Sequence, residues 1–378
     1  MGLMFEASAH TPGCHAFIVG VDEYLYLRGD PGAFFGFGEL TAAALSAHHV
    51  YQWLLQANLA RPLGSVRLLL SPAPGAPPDP GTEPCTLENF IRDAYQWRSA
   101  AETHRDNIAF LYFAGLGFSL TQGEQLLLLQ DFNNKVGPLL RNAVSLNNLV
   151  YGMTPALSPE IARTQLFLVD ASRTRLPQLP EYQSLNATAV FDASVMGTDD
   201  RTAAIFYATS PGLEAYTQAR QPSFFSRALV EGLDGAAAQP TEDADSGWAV
   251  TVQSLAHYVR VRVQELASES GVTQLAGVEG SLGPAPISYL TAPPAVEVSI
   301  DIKPVEAAAA ATVTVFDDDG EVVRTWNPGG PQTMATLPAG LYQIDVSSEL
   351  AGEPLHRRKT VALSPPIAKV GVNLKYGR

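Results

Sequence analysis

Cysteines and histidines are few in this 378-residue chain, two and seven, and one group of residues falls where a site would form. The run Gln165-Leu166-Phe167-Leu168-Val169 leads into Asp170-Ala171-Ser172-Arg173, and the run Ile108-Ala109-Phe110-Leu111-Tyr112-Phe113 leads through Ala114 into Gly115-Leu116-Gly117. If both runs are parallel strands, their C-terminal ends can lie side by side, the edge at which open α/β sheets place their sites. A serine hydroxyl at Ser172 would need a neighbouring base to become a nucleophile, and no histidine stands at either strand end. His48 and His49 fall in a helical stretch, where a packed or solvent-facing role is expected; His104 precedes a strand and belongs to the opposite edge. Cys14 also precedes a strand and reads as a buried, inert thiol. Cys85 adjoins a helix start, which favours the thiolate, but has no paired histidine. Asp317-Asp318-Asp319-Gly320 lacks the alternating acids and distant glutamate of a calcium loop and reads as a hairpin turn. Gly36-Phe37-Gly38-Glu39 lacks the Gly-Lys-Ser/Thr of a phosphate-binding loop, and the sequon at Asn186 matters only in a secreted protein. With no Cys/His cluster either, no metal and no cofactor is expected.

The elements that must position these residues follow from hydrophobic pattern. Short, fully apolar runs at 15–21, 65–70, 108–113, 165–169 and 203–208 suit strands buried on both faces of a parallel sheet. Between them lie helical patterns at 40–57, with Leu45, Val50, Trp53 and Leu54 as the core face, and from Thr86 to about Thr103, with Leu87, Phe90, Ile91, Ala94 and Trp97 on one face. Further helices are expected at 146–153, 223–233 and 252–266, the last capped by Thr251, and a short strand at 125–129 behind a turn at Gln122-Gly123. Residues 29–38 and 71–84 read as loops. Alternating strands and helices imply right-handed crossovers and a mostly parallel sheet flanked by helices. After a Gly/Pro-rich stretch at 284–295 the periodicity changes to two, with hairpin signals at Asp319-Gly320 and Gly329-Gly330. A small β-sandwich is expected over 296–378, following a first domain at 1–283 and a linker at 284–295.

Five segments, in order, resemble the caspase/metacaspase superfamily: His15-Ala16-Phe17-Ile18-Val19-Gly20-Val21-Asp22; Asp106-Asn107 with the strand ending Tyr112-Phe113-Ala114-Gly115; the strand ending Asp170-Ala171-Ser172; Ala208-Thr209-Ser210-Pro211-Gly212-Leu213-Glu214-Ala215-Tyr216; and Phe224-Phe225-Ser226-Arg227-Ala228-Leu229 with Gly232-Leu233. In that superfamily the two strands end in Ser-Gly-His-Gly and Asp-x-Cys. The resemblance therefore implies a caspase-like fold in which Leu116 stands at the catalytic histidine position and Ser172 at that of the nucleophilic cysteine. Leu116 cannot act as a base, and a serine needs one more than a cysteine does. Asp170 matches the acid that helps metacaspases hold a basic side chain, but Ala42–Ala44 occupy the stretch of its companion acid, and pairing of Asp170 with Arg173 is the plainer expectation. Gly115, Gly117, Asp170, Ser172 and Arg173 are the candidate residues of a peptide cleft. Leu337-Pro338-Ala339-Gly340-Leu341-Tyr342-Gln343-Ile344 resembles a hairpin of transthyretin-like and carboxypeptidase-regulatory-like sandwiches, which serve mainly as structural or adhesive units.

The formal charge of -14 excludes the basic footprint of a nucleic-acid binder and disfavours anionic membrane. The apolar stretch 108–120 is too short and too glycine-broken to span a bilayer. Two cysteines make no disulfide framework, and no secretory signal or myristoylation pattern is read at the start, so a cytoplasmic setting is expected. The excess of Arg over Lys, with abundant Ala, Gly and Pro, suggests a GC-rich bacterial source. The function expected from these features is a catalytically inactive caspase-like scaffold, adaptor or regulator that binds protein partners, whose identity and stoichiometry the sequence leaves open. The alternatives are a serine-dependent peptidase using Ser172 and a purely structural subunit attached through the sandwich.

Overall fold

The computed structural model describes residues 2–7, 12–27, 40–74, 81–121, 123–134, 136–138, 140–175, 187–192, 197–241, 247–365 and 367–376. The loop expected at 29–38, Gln122 and Asn186 lie outside them. In chain order the elements are β1 (Leu3–Glu6), β2 (Cys14–Val21), α1 (Ala43–Gln56), β3 (Leu63–Ser71), α2 (Leu87–Ala101), β4 (Ile108–Ala114), β5 (Gly117–Thr121), β6 (Glu124–Leu128), β7 (Ala143–Ser145), α3 (Leu146–Gly152), β8 (Thr164–Asp170) and β9 (Thr202–Tyr207). They continue with α4 (Phe224–Glu231), β10 (Gln239–Pro240), β11 (Trp248–Thr251), α5 (Val252–Glu269), β12 (Gly277–Gly280) and β13 (Pro286–Tyr289). The chain divides into two units, Met1–Asp234 with Val250–Ser288, and Gly235–Ala249 with Tyr289–Arg378.

In the first unit the described residues form a seven-stranded sheet of order β1-β3-β2-β4-β8-β9-β12. The five inner strands are parallel, while β1 and β12 run antiparallel at the two edges. Every residue of β4 is buried, as a strand covered on both faces requires. Neither edge strand is legible in the sequence: each has only four residues, too few to show a period. A satellite sheet of β5, β6 and β7 extends from the end of β4.

Helix α2 covers one face. Thr86 caps it by accepting a hydrogen bond from the Asn89 amide, and Phe90, Ala94 and Trp97 are buried, with Leu87 and Ile91 packed beside them. Helix α1 starts later than the sequence pattern suggests and buries Val50, Trp53 and Leu54 as expected. Its first free amides, Ala43 and Ala44, donate to the Asp22 carboxylate at 2.7 and 3.2 Å, a cap supplied from the end of β2. Leu45 is exposed, correcting its place in the core face; Ala43, Ala44, Ser46 and Ala47 are buried together with Val50, Trp53 and Leu54. The cause is Gly20 of β2, where an added Cβ would lie 2.7 Å from both Ala44 Cα and Ala47 Cβ, so that only small helix residues fit over the sheet.

In the second unit β10 and β11 pair antiparallel. Beyond them follow β14 (Ala295–Lys303), β15 (Thr312–Phe316), β16 (Val322–Trp326), β17 (Gln332–Pro338), β18 (Gly340–Leu350), β19 (Glu353–Leu363), β20 (Ile367–Asn373) and β21 (Lys375–Tyr376). They form two sheets, β17-β14-β20 and β16-β15-β18-β19-β21. Alternate residues of both, among them Val298, Ile300, Val313, Val315, Ile344 and Val346, are buried in one shared cluster. Asp317 shapes the β15–β16 turn: its carboxylate accepts from the Glu321 amide at 2.8 Å, and Gly320 takes a φ of 84°.

Candidate functional site

Ala114 and Asp170 are direct partners in the β4–β8 ladder. This register sets Gly115-Leu116-Gly117 beside Asp170-Ala171-Ser172, and the Gly115 amide donates to the Asp170 carbonyl at 3.2 Å. A cleft of about 110 Å³ opens there, lined among others by Gly115, Leu116, Asp170 and Ser172, by Ala42 and Ala43 at the start of α1, and by Tyr216 and Ser223. Gly117 and Arg173 do not line it: Gly117 opens β5, paired with Leu127, and Arg173 is turned into the protein.

Leu116 is fixed by its backbone. Its amide donates to the buried Tyr24 hydroxyl at 2.6 Å, and its carbonyl accepts from the Leu128 amide at 3.0 Å. The Tyr24 hydroxyl comes so close that a Cβ on Gly115 would meet it at 2.8 Å, which accounts for glycine at that position. Replacing Tyr24 by phenylalanine would orphan the buried Leu116 amide, and a loss of about 1–3 kcal/mol in urea-unfolding free energy is expected. A change within about 0.5 kcal/mol would mean that the turn reorganises.

Ser172 is half-buried and engaged with backbone. Its Oγ accepts from the Ala215 amide at 3.1 Å, and its carbonyl accepts from Gln125 Nε2 at 3.0 Å. Among the described lining residues there is neither an imidazole nor a thiol. His49 Nδ1 lies 3.2 Å from Ser226 Oγ, and burial lowers the pKa of the ring. His48 Nε2 meets Gln52 at 3.3 Å, and His104 accepts from the Asp106 amide ahead of β4. Both cysteines are buried. Burial pushes the Cys14 thiol up to about 12 and the Cys85 thiol well above its ordinary value, so that for Cys85 desolvation overrides the nearby helix start.

Asp170 forms the floor of the cleft. Its Oδ2 accepts from the Tyr112 hydroxyl at 2.6 Å and from the Ser223 hydroxyl. Ser223 is also the N-cap of α4, accepting from the Ser226 amide at 2.9 Å, while its own amide donates to Ser46 Oγ of α1 at 2.9 Å. Burial raises the Asp170 carboxyl to about 6, outweighing the two hydroxyl donors, which lower it. The expected Asp170–Arg173 pair does not form. Arg173 instead stacks over the Tyr207 ring at 3.7 Å and pairs with Glu279 of β12 at 3.3 Å, because beyond the end of β8 its side chain leaves towards β9 and the sheet edge. Ser223 is legible in the sequence only as a helix start, and Tyr112 and Tyr24 carry no signal of a polar role.

Among the described residues, no group of three or more His, Cys, Asp or Glu side chains could hold a metal ion, and no helix is long and apolar enough to cross a membrane. The parallel core with its paired strand-end loops defines an α/β protein of caspase-like fold. Residues 81–283 match the family model for the caspase domain, and the chain belongs to that family. Among solved structures it is similar to caspase-1 from Spodoptera frugiperda, with 13% identity and a TM-score of 0.44 over 75% of this chain and 96% of that one. No curated protein matches the chain.

Proposed function

We propose that this is a catalytically inactive caspase-like protein that works as a scaffold, adaptor or regulator by holding a segment of a protein partner. The observation that carries this reading is the cleft at the ends of β4 and β8, where Leu116 and Ser172 stand without an imidazole or thiol beside them. Ser172 Oγ is occupied by a backbone amide, and both thiols of the chain are buried and held protonated. A hydroxyl without a base has no route to the alkoxide. The cleft can still accept one side chain of an extended segment while neighbouring backbone groups hold its main chain. On this reading the second unit is an attachment module.

Incubation with a diverse peptide library, with and without calcium, should give no cleavage by the parent or by Ser172→Ala. Cleavage by the parent but not by Ser172→Ala would overturn inactivity and assign the serine a nucleophilic role. Ser172→Trp, which fills the cleft, should weaken capture of a partner that the parent retains; undiminished capture would remove the cleft from the binding surface.

A further inference from the structure

A second hollow lies on the first unit, beside α5 and separate from the cleft. Its volume is about 410 Å³, and it is lined by His257, Arg260, Val261 and Gln264 of α5 and by Ser210 and Leu275 from the loops after β9 and before β12. Pockets that take drug-sized ligands span about 300–1,000 Å³, a range this hollow reaches, whereas the cleft has room for about one side chain. The four α5 residues follow helical spacing and form one stripe. Arg260 and His257 are both exposed and make no ion pair or hydrogen bond with any described residue. Arg67, Arg92, Arg163, Arg173, Arg201, Arg262 and Arg358 each have a carboxylate partner, whereas Arg260, like the exposed Arg220 and Arg357, has none among the described residues. Val261 and Leu275 are 46% and 38% exposed, so apolar surface sits beside the free guanidinium. Ser210 spends its proton on the Leu275 carbonyl at 3.0 Å and thereby ties together the two loops that face α5 across the hollow.

We propose that this hollow is a second binding site, for a peptide segment carrying a carboxylate next to an aliphatic side chain. The Arg260 guanidinium matches a carboxylate with two parallel N–H donors. His257 and Gln264 flank it with further donor groups, and Val261 and Leu275 cover the aliphatic part. In a chain of net charge -14 an unpaired arginine in a hollow is a local exception to the surrounding field, which makes the site selective among surfaces rather than generally anion-binding.

The test uses the full chain and two fluorescein-labelled hexapeptides, one alternating glutamate with leucine and one alternating glutamine with leucine, read by fluorescence polarisation. The glutamate peptide should bind about tenfold more tightly, the difference one charge-assisted pair supplies, and the preference should shrink as salt rises. Arg260→Gln, with thermal unfolding unchanged at this exposed position, should abolish the preference. Arg260→Glu should reverse it in favour of a lysine–leucine hexapeptide. Equal binding of the glutamate and glutamine peptides, no binding of either, or a preference that survives Arg260→Gln would each overturn the proposal. A parent that sediments as a dimer and an Arg260→Gln variant that sediments as a monomer would reassign the hollow to a second copy of this chain. None of these outcomes bears on the cleft, whose test is separate.

Discussion

Replacing Trp97 by alanine is expected to lower the unfolding free energy by about 3–5 kcal/mol, the range for deleting a large buried aromatic. Trp97 is 1% exposed and lies where α2 meets the sheet. Its ring centroid is 6.3 Å from that of Phe17 and 6.4 Å, edge-on, from that of Phe167, so the cavity would open between α2 and the sheet, over the face that carries β2 and β8. The indole N–H also donates to the His15 carbonyl at 2.9 Å, a hydrogen bond that alanine would remove. Urea unfolding of Trp97→Ala and Trp97→Phe separates the two contributions: the phenylalanine variant keeps most of the apolar contact and should lose much less. A loss below about 1 kcal/mol for alanine would mean that α2 collapses onto the sheet and refills the space.

The second large effect depends on pH. Asp170 titrates near 6 in the folded protein, against an ordinary value of 3.8. The folded state therefore binds its proton more tightly than the unfolded chain does. This contribution to stability is fully present below about pH 4 and is lost as pH rises through 6. Across that window the loss is about 3 kcal/mol, because each tenfold difference in proton affinity between the two states is worth about 1.4 kcal/mol. Asp170→Asn keeps an acceptor for the Tyr112 and Ser223 hydroxyls and carries no charge. Its stability relative to the parent should therefore rise between pH 4 and pH 7 by an amount of that order. Parallel stability–pH curves for parent and variant would show that the carboxylate is as well solvated in the fold as outside it. In the cleft, the corresponding consequence is a floor that is neutral in acid and anionic once pH has risen past about 6.

How much of this can be read from residues alone follows from how local each interaction is. The inner strands are legible because strands buried on both faces are uninterrupted apolar runs, and β4 and β8 are of that kind. The end of each run, Gly115-Leu116-Gly117 and Asp170-Ala171-Ser172, can be placed at one edge from topology alone. Leu45 has the spacing of a core residue and is nevertheless exposed, because the helix face is chosen by Gly20, a residue of another element, which admits alanines and turns the leucine outward. The polar environment of Asp170 is hidden for the same reason. Tyr112 lies inside an apolar run, and Ser223 is 53 residues away in sequence. Arg173 and Glu279 are 106 residues apart, and nothing near Arg173 distinguishes that partner from Asp170. Long-range polar contacts leave no period in a sequence, whereas burial does.

The Asp22 cap makes the order of assembly a property of α1. Helix α1 has no capping side chain of its own at Ala42, no acid in its first turn and no base in its last. An isolated helix of 14 residues is already marginal in water, and this one lacks the devices that would help it stand alone. Its first amides are satisfied by a carboxylate 21 and 22 positions upstream, at the end of a strand whose glycine also selects the helix's inner face. The segment is therefore a conditional helix that gains its structure when β2 has joined the sheet. Because Ala42 and Ala43 line the cleft, that wall is completed only after the central strands are paired.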